Sequence, residues 1–257
     1  MDKRKKILVA TFSDISDHQD KAVVLYEELI GLGQDAYLLL PEKIDVECGT
    51  SERIRRVRCP DRPGIAKGTF NIKNLCHVLS IIKKEKFDVI FFETLHVWNL
   101  PVMMLSGKKT QVYQMIHDVI PHGGDKGVRQ VILMNKTVCR MADKIIICNQ
   151  KYKDSLCQKY RVSLRKVKCI ELWERFPDYR QPVRTGHMLF FGRLNPYKGA
   201  DKLLEIVKQC KNIEFDVVGK VDPQVTDIIT ELKGFSNVRI SEGYISDSEI
   251  EEVFEKA

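Results

Sequence analysis

The residue types able to do chemistry concentrate in 188–199, MLFFGRLNPYKG, where an apolar run ends in Gly192-Arg193 and a Lys198-Gly199 pair opens an amphipathic stretch. That spacing suits a diphosphate. A strand over 188–191 delivers Arg193 to the carboxyl edge of a sheet, and Lys198 and Gly199 then stand at the positive N-terminus of the next helix. Open α/β sheets bind ligands at that edge. The guanidinium fork grips phosphate oxygens while the ammonium supplies a compact charge, each sheltered charge-assisted bond being worth roughly 1.5–3 kcal/mol.

A second run, Val217-Val218-Gly219-Lys220, ends in a glycine that serves either close approach of a nucleotide or a plain tight turn. Earlier in the chain, residues 111–124, QVYQMIHDVIPHGG, put His117 at the end of another strand, again on a carboxyl edge. Its ring either meets a ligand there or caps a neighbouring backbone group. Asp118 is no relay partner, because adjacent strand residues point to opposite faces. His96 and His122, which lack the strand-end position, rank below His117 as acceptor-side candidates. The loop 11–20, TFSDISDHQD, is polar and has no glycine. Ser13, Asp14, Ser16 and His18 offer acceptor contacts there, or Ser16 or Asp17 simply caps the following helix. No Asp-x-Asp or metal-ligand cluster is present, so neither metal nor cofactor is expected.

The elements that must position these residues alternate short β-rich runs with longer helical patterns, which calls for parallel sheets covered on both faces. Strands are expected at Ile7–Ala10, Ala36–Leu40, Ile54–Cys59, Val89–Phe92, Gln111–Ile116, Lys144–Cys148 and Lys166–Ile170, with helices near 18–32, 70–86, 97–106, 126–141 and 150–159. A linker with two prolines and no periodicity follows. Beyond it, strands are expected at 188–191, 213–218 and 237–240 and helices near 199–210, 224–233 and 246–257. The domains are therefore 1–172, a linker 173–186, and 187–257. The second domain stops inside a helical pattern without a stop signal and reads as half a domain. A nicotinamide dehydrogenase does not fit, since no Gly-x-Gly-x-x-Gly follows the first strand.

With 257 residues the chain can bury a sizeable core, and no apolar run approaches a membrane span. Asp2 and the basic residues 3–6 lead straight into a strand rather than a secretory segment, so a cytoplasmic location is expected. The eight cysteines are scattered, with no Cys-x-x-Cys pair, and read as small buried thiols. The net charge of +7 is concentrated: residues 126–168 hold twelve Lys and Arg against two Asp. Without an aromatic platform, zinc finger or basic zipper, nucleic acid is not the expected partner. An anionic membrane surface suits such a segment better, and a merely solvated helix face is the plainer reading of each residue.

Gly192, Arg193, Lys198 and Gly199 resemble the phosphate-binding stretch of retaining GT-B glycosyltransferases of family 4. His117-Asp118 with Pro121-His122 resembles the His-Asp-x-x-Pro-His segment of the bacterial polysaccharide members, and 92–99, 142–146 and Tyr152 extend the likeness. The resemblance implies two Rossmann-like domains facing a cleft, the second incomplete here. It implies transfer of a sugar from a nucleotide-diphosphate sugar to a saccharide or polyprenyl-linked acceptor, with peripheral contact at the inner membrane face. Arg193 and Lys198 would hold the diphosphate and His117 the donor sugar, while Gly219, Lys220, Tyr244 and Ile245 would line the nucleotide. The first loop departs from the pattern, since many members carry a Gly-Gly pair there. The family's glutamate pair on a further Gly-rich loop and helix is also missing. The alternative is a catalytically inactive, truncated glycosyltransferase that acts as a binding or scaffold module.

Overall fold

Strands with little polar alternation, such as Val89–Phe92 (VIFF) and Lys144–Ile147 (KIII), need cover on both faces, and a parallel sheet wrapped by helices provides it. The computed structural model describes residues 4–13, 16–42, 52–59, 67–121, 127–171, 173 and 186–255, which form two compact units, 4–173 and 186–255.

In the first unit the strands are β1 (Lys6–Ala10), β2 (Asp35–Pro41), β3 (Ile54–Val57), β4 (Val89–Phe92), β5 (Gln111–Met115), β6 (Lys144–Ile147) and β7 (Val167–Cys169). They form one parallel sheet in the order β3-β2-β1-β4-β5-β6-β7. The winding direction reverses between β1 and β4, the switch point at whose carboxyl end doubly wound sheets open a crevice. Helices α1 (Ser16–Gly31), α2 (Ile72–Glu85), α3 (Asn99–Leu105), α4 (Val128–Met141) and α5 (Lys153–Tyr160) connect the strands. Alternate residues of β1 feed opposite faces. Leu8 packs with Val78, Ile82 and Trp98, whereas Val9 packs with Ala22, Val23 and Tyr26 of α1. A third cluster joins Ile145 and Ile147 to Val138, Leu156 and Tyr160 under α4 and α5. Trp173, assigned to the linker from sequence, is anchored in this unit: its indole N–H donates to the Lys21 carbonyl (2.7 Å) and its ring meets Phe91 edge-on.

The second unit repeats the order of the first three strands. Its parallel sheet runs β10-β9-β8, made of β8 (Met188–Phe191), β9 (Phe215–Gly219) and β10 (Val238–Glu242), with α6 (Ala200–Gln209), α7 (Thr226–Leu232) and α8 (Asp247–Glu255). Ala200, Leu203 and Val207 form the buried stripe of α6 and pack with Phe215, Val217 and Ile229. Short 3-10 turns at Gln150–Tyr152 and Pro223–Val225 occupy what the sequence pattern reads as the first turns of α5 and α7, and another at Pro196–Lys198 precedes α6. The cysteines require a correction. Among the described residues Cys139 is buried, with burial raising its thiol pKa to about 12, but Cys76 is exposed on α2 and the others are half-buried. No described helix is long and apolar enough to cross a membrane.

Candidate functional site

In the second unit the carboxyl ends of all three strands are linked in register. The Gly192 N–H donates to the Val218 carbonyl (2.9 Å), the Leu194 N–H to Lys220 (2.9 Å) and the Gly243 N–H to Gly219 (3.1 Å). Gly192, Gly219 and Gly243 thus lie side by side along the edge. At Gly219, where φ is +147°, a Cβ would fall 1.9 Å from the Gly192 carbonyl oxygen, so the close approach that demands glycine is made by the chain itself. After Arg193 and Leu194, the nearly buried Asn195 accepts from the Lys198 N–H (3.2 Å) and caps the 3-10 turn Pro196–Lys198. Gly199, at φ +82° and ψ +34°, then redirects the chain into α6.

The result is a glycine turn carrying two cations. Lys198 Nζ lies 3.9 Å from where a Gly192 Cβ would stand, so the ammonium hangs over the turn. Arg193 and Lys198 are exposed, and no carboxylate among the described residues pairs with either. Lys220 and Tyr244 are exposed beside the same edge and Ile245 is half-buried. A concavity of about 330 Å³, lined by Val221, Pro223, Thr226, Ile229, Thr230, Lys233 and Glu242, opens beside α7 and includes none of the residues singled out from sequence.

In the first unit His117 lies two residues beyond β5, next to the switch point. Its Nε2 is 2.9 Å from the Glu93 carbonyl oxygen and 2.7 Å from Glu93 Oε1. Both alternatives raised by the sequence therefore have a place: the ring does meet a backbone group, yet its side chain is still 26 % exposed. Glu93, just after β4, is fully buried, and apart from the ion-pair contact of Oε1 with His117 neither of its carboxylate oxygens has a hydrogen-bond partner. Burial works against a charged His117 ring, but the hydrogen bond and charge of Glu93, helped by its carbonyl, outweigh it. The pKa of His117 is raised above the ordinary 6.5 despite the opposing charge of Lys21. His18, on α1, stacks on His117 (centroids 5.4 Å apart, planes at 21°), and its Nδ1 is 2.9 Å from the Ser13 hydroxyl.

The remaining predicted residues separate. Ser13 and His96 are each 1 % exposed, so neither offers a surface to an acceptor. His96 Nδ1 accepts from the Trp98 N–H (3.1 Å) with Phe12 and Trp98 packed on its ring, and burial lowers its pKa to about 4. His122 and Asp14 lie outside the described residues, as do the side chains of Ser16 and Asp17. Sequence reasoning gave Glu93 no role of its own. The available signal was an acid directly after an all-apolar strand, at the edge where ligands bind. Neutral groups brace that edge: Thr11 and Thr94 hydroxyls are 2.9 Å apart, and Asn99 Nδ2 donates to the Thr94 carbonyl and to Gln114 Oε1, both at 2.8 Å.

Solved structures share this architecture. HepE from Anabaena, solved in complex with UDP and glucose, superimposes with a TM-score of 0.61 at 15 % identity, over 98 % of this chain and 72 % of its own. Sucrose-phosphate synthase from Thermosynechococcus elongatus gives 0.61 at 13 % identity, over 97 % and 73 %. MurG from Acinetobacter baumannii gives 0.51 at 14 %, over 97 % and 69 %. The chain spans only 37 % of the length of TarM from S. aureus, which it matches at 17 % identity with a TM-score of 0.49. The likenesses to HepE, sucrose-phosphate synthase and MurG establish a GT-B type fold of two Rossmann-like units. No curated protein sequence matches the chain. The model of Glycosyltransferase Family 4 matches residues 22–172, from within α1 to the residue before Trp173. That is more than half of the 257 residues, and the chain therefore belongs to Glycosyltransferase Family 4, a family of transferase enzymes.

Proposed function

We propose that this chain is a retaining glycosyltransferase that moves a sugar from a nucleotide-diphosphate sugar to a saccharide or lipid-linked saccharide in surface polysaccharide synthesis. The observation that carries the reading is the glycine turn with Arg193 and Lys198 exposed and free of carboxylate partners at a sheet's carboxyl edge. Two cations there stabilise the charge that builds on a departing diphosphate. The bond between the sugar's anomeric carbon and the phosphate oxygen breaks, and the acceptor hydroxyl bonds to the same face of that carbon. The hydroxyl proton passes to a phosphate oxygen, so positioning supplies most of the catalysis. His117 takes the sugar in this scheme, and Gly219, Lys220, Tyr244 and Ile245 take the nucleotide.

An acceptor anchored in lipid accords with the outer face of α4. Arg129, Leu133, Lys136 and Arg140 are all exposed and recur at helical spacing, so one stripe carries three cations around an apolar side chain. We place the protein at the cytoplasmic membrane face on that basis.

The test is nucleotide release from a panel of nucleotide-diphosphate sugars, with the Arg193→Ala and Lys198→Ala variants alongside. Both side chains are exposed, so both variants should fold. Each should lose about 100-fold in turnover, the usual cost of removing one preorganised charge-stabilising donor. Variants within twofold of the parent on every donor that is turned over would end this reading of the turn.

A further inference from the structure

We propose that Glu93 is the positioning residue of His117: it fixes a hydrogen on ring Nε2, so that Nδ1 is the nitrogen presented to the donor sugar. The inference rests on the transferase reading for the sugar, but the pairing itself stands on geometry. His117 Nε2 faces two acceptors, the Glu93 carbonyl oxygen at 2.9 Å and Glu93 Oε1 at 2.7 Å. A carbonyl only accepts, so Nε2 must carry the hydrogen, and the tautomer follows. Nδ1 is then a lone-pair acceptor while the ring is neutral and a donor when it is charged.

Charge is settled by the same partner. A fully buried carboxylate with no hydrogen-bond donor on either oxygen is costly unless a cation stands beside it, and His117 Nε2, 2.7 Å from Oε1, is the titratable group beside it. The other groups facing the ring come from α1. His18 is stacked on it and Lys21 opposes its charge, and Glu93 outweighs both burial and Lys21 in raising the His117 pKa. The charged ring is therefore favoured beyond that of an ordinary imidazole, and in that form Nδ1–H is a donor to a sugar or phosphate oxygen. Glu93, behind the ring and out of reach of solvent, touches no ligand; it acts through His117.

Ring-nitrogen NMR on the whole chain decides the matter, with His117→Gln used to assign the resonances. In the parent protein His117 should show the Nε2–H form and titrate above 6.5, whereas an Nδ1–H ring, or titration below 6.5, would overturn the proposal without any variant. Glu93→Gln should lower the titration midpoint by a pH unit or more while the backbone spectrum stays folded, and Glu93→Asp should restore part of it. In turnover assays the loss of activity on the alkaline side should move to lower pH in Glu93→Gln by the same amount, mainly in kcat. A folded Glu93→Gln protein with an unmoved His117 midpoint refutes the pairing. If the NMR signatures appear as expected but the parent protein turns over no nucleotide sugar, the pairing holds and the transferase reading is what has failed.

Discussion

Two histidines that follow consecutive strands, β4 and β5, experience opposite environments, and their pKa values shift in opposite directions. His96 is neutral in the fold, with a pKa of about 4 against an ordinary 6.5 when unfolded. As pH falls the unfolded chain takes up that proton first. The stability contributed by the neutral ring is complete above 6.5 and is lost between 6.5 and about 4, a difference of about 3 kcal/mol. Chemical denaturation should therefore show the parent losing about 2–3 kcal/mol more than His96→Gln between pH 7 and pH 4.5. Equal losses would contradict the buried neutral ring. His117 works the other way: its raised pKa gives stability present below 6.5 and lost as pH rises through the folded value. The position of His117 was legible because an apolar strand stops just before it. The burial of His96 was not, because it depends on Phe12 and Trp98 closing over the ring from other segments.

Elements were the most readable level, since period and propensity fix them locally. Every strand expected from sequence has a counterpart in the same place, as do the helices, and the differences lie at ends where 3-10 turns begin a helix or a strand stops early, as β3 does at Val57. What local pattern could not supply was the reason for Gly219. Its neighbours in the chain allow either a nucleotide or a turn, and only the pairing of β8 with β9 shows that the Gly192 carbonyl occupies the space. Gly219→Ala must bear both the strain of φ +147° and a clash at 1.9 Å, whereas Gly243→Ala, at φ +137°, meets open space. Thermal or chemical unfolding should show Gly219→Ala destabilised by about 2–5 kcal/mol and Gly243→Ala by about 1–3 kcal/mol. Equal effects would mean that the two edges do not meet as described.

At the scale of the whole molecule the net charge of +7 is a surface property, and α4 concentrates it. Flotation with vesicles containing anionic lipid should bring the protein to the top at low salt. The Arg129→Glu/Lys136→Glu/Arg140→Glu variant should stay at the bottom, each lost cation being worth about 1 kcal/mol at such a surface. Binding that is absent, or indifferent to salt, would remove the membrane from the proposal. The family match ends before the second unit begins, so the donor-binding reading there rests on residues 192–199 and on a fold shared at 13–15 % identity.

The three adjacent glycines leave the carboxyl edge of the second sheet as a strip of bare backbone. The Gly192 and Gly243 amides are already bonded to the neighbouring strand, so the strip brings neither side chains nor these amides with which to discriminate between ligands. Under the proposed function, choice of donor is then written in the side chains standing around the strip, such as Arg193, Lys220 and Tyr244. A change of donor would come from substitutions in those loops and would leave the strands untouched.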